Sequence, residues 1–249
     1  MKIAILAGGR GSRLAEETNV KSKAMVCIGD EPVLWHIMRF YQHFGFTDFV
    51  VALGYQARSI QDYFQQTGKQ QPDRTRAAEH RSYVKDGLTI ELVDTGADTQ
   101  NGGRIKRLSP YLDQAAFMLT WCDGLADIDL AKLLAFHRQH GRLATLSAVH
   151  PPARFGRLML DGAAVQDFQE KTVDPNEWIN GAYFVLEPAV LDLIEDDDTH
   201  FESQTLARLA KDGELMAYRH ESFWQCMDTL KEAQTLNALW QEGRAPWKK

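Results

Sequence analysis

The sequence predicts an α/β fold around a mainly parallel sheet, and three observations carry that prediction. Short apolar runs, the first at residues 2–6, have the continuity of strands that are buried on both faces. Segments with apolar residues at helical spacing alternate with these runs. Glycine or aspartate follows two of the runs, at the strand ends where open α/β sheets bind ligands.

The first part of the chain is predicted to alternate strand and helix. Pro32 in the first turn and Gly45 after the last turn mark one helix, at residues 32–44. Polar residues 67–87 predict a long surface excursion, either a lid or an oligomer arm. The predicted strands are residues 2–6, 48–53, 89–93, 116–120 and 144–149, and the other helices are residues 57–66 and 130–140.

From residue 151 onward the pattern changes to mixed β structure with helices. Residues 156–160 and 164–169 predict a hairpin around Asp161-Gly162, and residues 182–186 predict a further strand. Residues 206–211 and 230–240 read as helices. No linker separates the two parts, so we expect one domain over residues 1–249, with residues 151–249 packed against residues 1–150.

Composition excludes several classes of protein. The 249 residues are 44% hydrophobic and 10% aromatic, which argues against disorder. The apolar runs are too short for a membrane span or a signal peptide, and three scattered cysteines predict neither disulfides nor zinc, so a cytoplasmic protein is expected. A net charge of −6 argues against a nucleic-acid surface.

A glycine-rich loop follows the first strand, in the run Leu6-Ala7-Gly8-Gly9-Arg10-Gly11-Ser12-Arg13-Leu14. Glycines let backbone N–H groups approach an anion, and Arg13 could add a bidentate phosphate contact. Leu14 stands where a dinucleotide fingerprint needs its third glycine, and no Gly-Lys-Ser/Thr ends the loop as a Walker A motif would. The alternative interpretation is a tight turn with a solvated arginine.

Charged residues elsewhere add candidates for phosphate and metal binding. Lys21 and Lys23 would point to the same side of an extended segment. Asp123 follows a buried strand, and Asp228 has apolar flanks, so the pair suggests Mg²⁺ held by carboxylates and phosphate oxygens. Asp127 and Asp129 are interpreted instead as helix-capping residues.

Two further motifs are less specific. Glu170-Lys171 ends a predicted strand, and Asn180-Gly181 precedes another. They could hold sugar hydroxyls and a phosphate, or they could be a cross-strand ion pair and an ordinary turn. The residues alone do not favour substrate binding over the ion pair and the turn.

Together these motifs resemble the sugar-phosphate nucleotidyltransferase family over the whole chain. The general signature is the glycine-rich loop followed by Val20-Lys21-Ser22-Lys23-Ala24-Met25. Marks of the cytidylyl-transferring members include Val93-Asp94-Thr95-Gly96, Gly102-Gly103-Arg104-Ile105-Lys106-Arg107, Pro151-Pro152-Ala153-Arg154-Phe155-Gly156, Phe168-Gln169-Glu170-Lys171 and Phe223-Trp224-Gln225-Cys226-Met227-Asp228-Thr229.

The resemblance implies a Rossmann-like nucleotidyltransferase fold with a smaller mixed β sugar-binding part, and a Mg²⁺-dependent reaction. CTP and a sugar 1-phosphate, here glucose 1-phosphate, would give CDP-glucose and pyrophosphate, in a homo-oligomer such as a hexamer. The catalytic residues would be Lys23, Arg13 and Asp123. The nucleotide would contact Leu6, Gly8, Gly9, Gly11, Ser12, Arg13, Lys23, Gly103 and Arg104, of which Arg104 would read the cytosine. The acceptor would contact Glu170, Lys171, Asn180 and Gly181, and Asp123 and Asp228 would hold the metal.

The sequence departs from the family pattern near the metal and the acceptor, at Ser22, Trp121, Cys122, Thr172, Ala182 and Cys226. Added bulk at Cys122 and Ala182 should reshape the pocket, so another small phosphate or phosphonate acceptor stays open. A transferase that uses UTP or dTTP is a second alternative. A non-catalytic nucleotide-binding subunit and a dinucleotide oxidoreductase are two others, the last with Asp30 or Glu31 as its ribose contact.

Overall fold

The structure is a computed structural model that describes residues 1–9, 21–72, 80–153 and 155–249. Three of the predicted nucleotide-binding residues, Gly11, Ser12 and Arg13, lie outside the described residues. Gly8 and Gly9 at the start of the glycine-rich loop, and Lys23 after it, are described.

Fifteen strands are present in the described ranges. They are β1 (Lys2–Leu6), β2 (Cys27–Ile28), β3 (Glu31–Pro32), β4 (Asp48–Leu53), β5 (Lys69–Gln70), β6 (His80–Lys85), β7 (Leu88–Asp94), β8 (Phe117–Trp121), β9 (Gly124–Ala126), β10 (Ala144–Val149), β11 (Arg157–Asp161), β12 (Ala164–Gln169), β13 (Ile179–Leu186), β14 (Leu215–Arg219) and β15 (Trp224–Cys226).

One large sheet holds nine of these strands in the order β14-β10-β13-β8-β1-β4-β7-β6-β5. Within it β6 and β13 run against the other seven described strands. The predicted α/β fold with a mainly parallel sheet is therefore confirmed. Strands β10, β13 and β14 come from both predicted parts of the chain and pair within this one sheet.

Both faces of the sheet are covered, as the continuous apolar runs predict. Ile3 and Ile5 of β1 belong to one buried cluster, whereas Ala4 and Leu6 belong to a second cluster on the opposite face. Successive strand residues point to opposite faces, so a strand with a core on each side needs an unbroken apolar run.

The α-helices of the described residues are α1 (Val33–His43), α2 (Ala57–Thr67), α3 (Asn101–Arg107), α4 (Leu130–His140), α5 (Ala207–Lys211) and α6 (Leu230–Gln241). Asp129 begins α4 by accepting a hydrogen bond from the Lys132 N–H at 3.0 Å, as predicted for a capping residue. Asp127 does not cap this helix, which corrects that interpretation. Its carboxylate accepts from the Ser222 hydroxyl at 2.8 Å and lies 3.1 Å from His220 Nε2.

Three small two-stranded sheets complete the described fold: β2–β3, β9–β15 and the β11–β12 hairpin. The hairpin was predicted within one residue at its start and is exposed along both strands. The β9–β15 pair was not predicted, and it matters for the site because it joins the segment after β8 to the segment before α6.

The prediction of a surface excursion over residues 67–87 is wrong at residues 69–70 and 80–85, which form β5 and β6 of the large sheet, and residues 73–79 lie outside the described residues. Strand β6 lies between β7 and β5 and pairs antiparallel with β7 along six register positions. Among the described residues, no helix is long and apolar enough to cross a membrane.

Candidate active site

A cluster of three charged side chains lies at the carboxyl end of the central strands. The Lys23 ammonium is 2.7 Å from Asp123 Oδ2 and 2.6 Å from Asp228 Oδ1. The Lys23 side chain is only 10% exposed, and the two carboxylates are 23% and 20% exposed. The structure thus brings together three predicted site residues that are far apart in the sequence.

Local structure fixes each member of this cluster. Ser22 begins a 3₁₀ turn at Lys23–Met25, and its hydroxyl contacts the Ala24 N–H at 3.4 Å and the Ala7 carbonyl at 3.3 Å. Asp123 follows β8, whose last residue Trp121 is in register with Leu6 of β1. Lys23 and Asp123 therefore both meet the end of β1.

Asp228 is tied to Asp123 through the backbone and to α6 through a capping box. The Met227 N–H donates to the Asp123 carbonyl at 2.8 Å. Glu232 Oε2 accepts from the Asp228 N–H at 2.8 Å and from the Thr229 N–H at 2.9 Å. Glu232 and Thr229 thus satisfy free N–H groups at the helix start and hold Asp228 in place.

The neighbouring carboxylates keep Lys23 protonated. Burial lowers the pKa of Lys23, but the facing carboxylates of Asp123 and Asp228 outweigh it and raise that pKa above its usual value. Next to the cluster, burial and the charge of Asp123 raise the pKa of the Cys122 thiol to about 12. Cys122 is therefore a neutral thiol at neutral pH and no candidate nucleophile.

Asp123 and Asp228 fit a divalent metal. Both direct a carboxylate oxygen at the same cation, and hard oxygen donors of this kind suit Mg²⁺. Among the described residues, no group of three or more acidic, histidine or cysteine side chains forms a complete metal cage. A Mg²⁺ site with one or two carboxylates completed by substrate phosphates and water has no need of such a cage.

A cavity of about 460 Å³ opens on one side of the cluster, and we call it the donor cavity. Its walls come from the start of the glycine-rich loop, from the segment before and into α3, and from the end of β8. It is lined by Leu6, Gly8, Gly9, Lys23, Ala97, Asp98, Thr99, Gln100, Asn101, Arg104, Trp121, Cys122 and Asp123. Six of the described residues that were predicted to contact the nucleotide or the metal line it.

Arg104 lies buried in the wall of the donor cavity. Its Nη1 donates to the carbonyls of Leu53 at 3.0 Å and Gly96 at 2.7 Å and to the Thr95 hydroxyl at 2.8 Å, and Nη2 donates to the Ala97 carbonyl at 3.2 Å. Burial lowers the pKa of Arg104, against the opposing charge of Asp94. The guanidinium therefore fixes the wall through backbone contacts.

Gly8 and Gly54 make room for that guanidinium. A Cβ on Gly8 would lie 2.4 Å from Arg104 Nη1, and a Cβ on Gly54 would lie 2.2 Å from it. Glycine is required at both positions by this close approach. Gly103 has a different neighbour, because a Cβ there would lie 2.5 Å from Asp197 Cα. It packs α3 against that segment and does not appear among the described residues that line the cavity.

A second cavity, of about 430 Å³, reaches the cluster at Asp228, and we call it the acceptor cavity. The Trp224 indole forms one wall and is fixed by a 2.8 Å hydrogen bond to the Gly181 carbonyl. Arg157, ion-paired with Asp174, contributes charge from the hairpin side. Aromatic surface beside carboxylates and a guanidinium is suited to a sugar phosphate.

The four residues predicted to bind the acceptor lie just after β12 and within β13. Glu170 and Lys171 are exposed and lie 3.2 Å from each other at the end of β12. Asn180 Oδ1 accepts from the Ala182 N–H at 2.8 Å, and Gly181 is buried against Ser147. None of the four is among the described residues that line the acceptor cavity.

Sequence reasoning missed Arg157, Asp174 and Glu232. Arg157 and Asp174 gave no signal, because they meet the cavity only once the hairpin is folded. Glu232 did have one: Thr229 is followed three residues later by glutamate, which is the capping-box spacing.

Comparison with known proteins identifies the family. A family model described as Nucleotidyl transferase matches residues 2–240. The chain belongs to the nucleotidyl transferase family. Members of this family generally use a divalent metal. Membership favours the transferase interpretation over the dinucleotide oxidoreductase.

Several relatives align over the whole chain. Proteins named glucose-1-phosphate cytidylyltransferase from Salmonella typhi and Salmonella typhimurium are each 46% identical to it, over 100% of this chain and 99% of the relative. A protein named probable glucose-1-phosphate cytidylyltransferase from Bacillus subtilis is 37% identical over the same shares.

Solved structures support the same fold. HddC from Yersinia pseudotuberculosis has a TM-score of 0.72 at 20% identity, over 96% of this chain and 99% of that one. UDP-glucose pyrophosphorylase complexed with UDP-glucose has a TM-score of 0.71 at 14% identity, over 98% and 99%. At these identities the likeness concerns the fold.

Four of the six departures from the family pattern line the two cavities, and Ser22 and Ala182 line neither. Trp121 and Cys122 line the donor cavity, and Thr172 and Cys226 line the acceptor cavity. Ala182 lies on β13 with a φ of 61°, a left-handed conformation that disfavours residues with a Cβ. This alanine therefore carries backbone strain that a glycine would not.

Proposed function

We propose that the chain transfers CMP from CTP to glucose 1-phosphate and releases pyrophosphate. The observation that carries the proposal is that two cavities meet at the Lys23–Asp123–Asp228 cluster, one lined by Lys23 and Asp123 and the other by Asp228. A reaction that joins a nucleotide to a sugar phosphate needs two binding spaces that meet at the reacting phosphorus. The 46% identical relatives supply the choice of CTP and glucose 1-phosphate.

The chemistry needs positioning and charge neutralisation. A phosphate oxygen of glucose 1-phosphate forms a bond to the α-phosphorus of CTP, and the bond from that phosphorus to the oxygen bridging to the β-phosphate breaks. The electron pair leaves on pyrophosphate. The nucleophile is already an anion, so no strong general base is required.

Each residue of the cluster has a role in this proposal. Lys23 neutralises charge at the α-phosphate, which it can reach because it lines the donor cavity. Asp123 and Asp228 would hold Mg²⁺, which supplies Lewis-acid stabilisation of the phosphate oxygens. Arg13, outside the described residues, is assigned to the β- and γ-phosphates by the family resemblance alone, as Gly11 and Ser12 are assigned to the nucleotide.

We assign the cytosine base to the donor cavity and the sugar to the acceptor cavity. Leu6, Gly8, Gly9 and Arg104 line the donor cavity and are proposed to contact CTP. Arg104 Nη1 already donates hydrogen bonds to backbone carbonyls. We therefore expect the Arg104 side chain to shape the cytosine pocket and to contact the base only through its remaining N–H groups.

In the acceptor cavity we propose that Arg157 contacts the sugar phosphate and that Trp224 packs on the sugar ring. The assignments of Glu170, Lys171, Asn180 and Gly181 to the acceptor, and of Gly103 to the base, stay predictions. A homo-oligomer such as a hexamer and a cytoplasmic location also stay predictions.

The test is pyrophosphate release with Mg²⁺, with CTP, UTP, dTTP, ATP or GTP offered against glucose 1-phosphate. We expect release with CTP and a loss of at least a hundredfold in Asp228→Asn. Asp127→Asn is the matched control, since Asp127 pairs with Ser222 and His220 outside the cluster. Equal rates with UTP or dTTP would refute the choice of base. CTP binding without release would refute glucose 1-phosphate and favour another small phosphate or phosphonate.

A further inference from the structure

The Lys23 ammonium occupies the point on which the two metal-binding carboxylates converge. We propose that Lys23 is an internal counter-cation, which holds the metal position of the nucleotide-free enzyme and leaves it when a divalent metal arrives with the nucleotide. The inference rests on the proposed function only in assigning Asp123 and Asp228 to the metal.

The geometry does not allow the Lys23 ammonium and a metal ion to occupy this position together. Asp123 Oδ2 and Asp228 Oδ1 each lie within 2.7 Å of Lys23 Nζ, which is the length of a charge-assisted hydrogen bond. A Mg²⁺ ion needs ligand oxygens at about 2.0–2.1 Å in near-octahedral geometry. An ammonium left between the same two oxygens would lie against the metal, and two cations at that separation repel each other.

The Lys23 ammonium can move into the donor cavity. Its side chain lines the donor cavity as well as contacting the carboxylates, and a lysine carries its charge on a flexible four-carbon stem. When the nucleotide phosphates enter, the ammonium can move from carboxylate to phosphate oxygen. The carboxylates then receive the metal, so neither anionic group is left buried without a cation.

The exchange has a consequence for the order of binding. In the absence of nucleotide, a divalent metal must displace a hydrogen-bonded ammonium that has no phosphate to receive it. The free enzyme should therefore bind metal weakly, and metal and nucleotide should strengthen each other's binding by the same factor.

The experiment titrates Mn²⁺ alone into nucleotide-free enzyme at pH 8 and follows free Mn²⁺ by electron paramagnetic resonance. We expect Lys23→Met, which removes the charge and keeps the length of the side chain, to bind Mn²⁺ at least tenfold more tightly than the wild type. Adding Asp228→Asn to that variant should abolish the gain. Lys132→Met is the matched control, because it removes an ammonium 3.4 Å from Asp129 on the surface, and it should change nothing.

Tight Mn²⁺ binding by the wild type without nucleotide would overturn the proposal, as would a folded Lys23→Met that binds no more tightly. Should Lys23→Met fail to fold, wild-type crystals soaked in Mn²⁺ alone give a second test. Anomalous density between Asp123 and Asp228, with Lys23 unmoved, would contradict the exchange. No transfer reaction is measured, so a failure of the proposed function with CTP is distinguishable from a failure here.

Discussion

Replacing Arg104 with methionine tests whether its guanidinium holds the donor cavity together. Arg104 is 5% exposed and joins the ends of β4 and β7 through four acceptors. Methionine keeps most of the apolar stem and removes every donor, so the change isolates the hydrogen bonds.

The cost can be worked out acceptor by acceptor. The Leu53 carbonyl keeps the Thr95 N–H and hydroxyl as donors, at 3.0 and 2.6 Å, so its loss is small. The half-buried Gly96 carbonyl loses the guanidinium, and an acceptor left without a partner costs about 1–3 kcal/mol when water does not reach it. Ala97 is exposed, so water can replace the guanidinium at its carbonyl. We therefore expect the free energy of unfolding to fall by about 1–3 kcal/mol.

The assay is urea unfolding, paired with CTP binding measured by calorimetry. Arg107→Met is the matched control on the same helix, because its half-exposed ion pair with Asp197 should be worth about 1 kcal/mol or less. We expect Arg104→Met to weaken CTP binding at least tenfold and Arg107→Met to leave it nearly unchanged. A loss of stability below 1 kcal/mol at Arg104, or equal effects of the two changes, would refute the reasoning.

Three further predictions follow from single contacts. Ala182→Gly should raise the free energy of unfolding by about 0.5–1 kcal/mol in urea, because it relieves a left-handed alanine, whereas Ala164→Gly in an extended strand should lower it. Burial lowers the pKa of His36, so the folded state takes up that proton at lower pH than the unfolded chain. Stability should therefore fall as the pH drops below about 6.5, and His36→Gln, unlike His43→Gln on the surface, should flatten that fall. Arg157→Met should raise the KM for glucose 1-phosphate about tenfold and leave the KM for CTP unchanged. An unchanged KM for glucose 1-phosphate would show that Arg157 does not contact the sugar phosphate.

Much of the fold was predictable because its signals are local. The strands β1, β4 and β10 and the helix α4 match their predicted bounds, since each is an apolar run or a periodic segment with a recognisable start. Strand β6 was missed because it is mostly polar and charged, and only its pairing with β7 and β5 makes it a strand. Helix α3 was missed because Gly102 and Gly103 lower its helix propensity. Contact with the segment at Asp197 and Thr199 requires those glycines.

In the candidate site, too, the residues that belong to local patterns were predictable and the contacts between distant residues were not. Glycines after a strand, a lysine nearby and an aspartate at another strand end are local patterns, and they placed Gly8, Lys23 and Asp123 together. Local patterns do not give distances between side chains. They could not show that Lys23 lies between Asp123 and Asp228, or that Arg157 instead of Lys171 faces the acceptor cavity.

The most direct test of the account is a crystal structure with CDP-glucose and Mg²⁺. We expect the cytosine in the donor cavity beside Arg104, the glucose ring against Trp224 in the acceptor cavity, and the diphosphate link beside Asp123 and Asp228. Lys23 should have moved from the carboxylates to a phosphate oxygen. A product molecule that leaves either cavity empty, or whose diphosphate lies away from these two carboxylates, would contradict it.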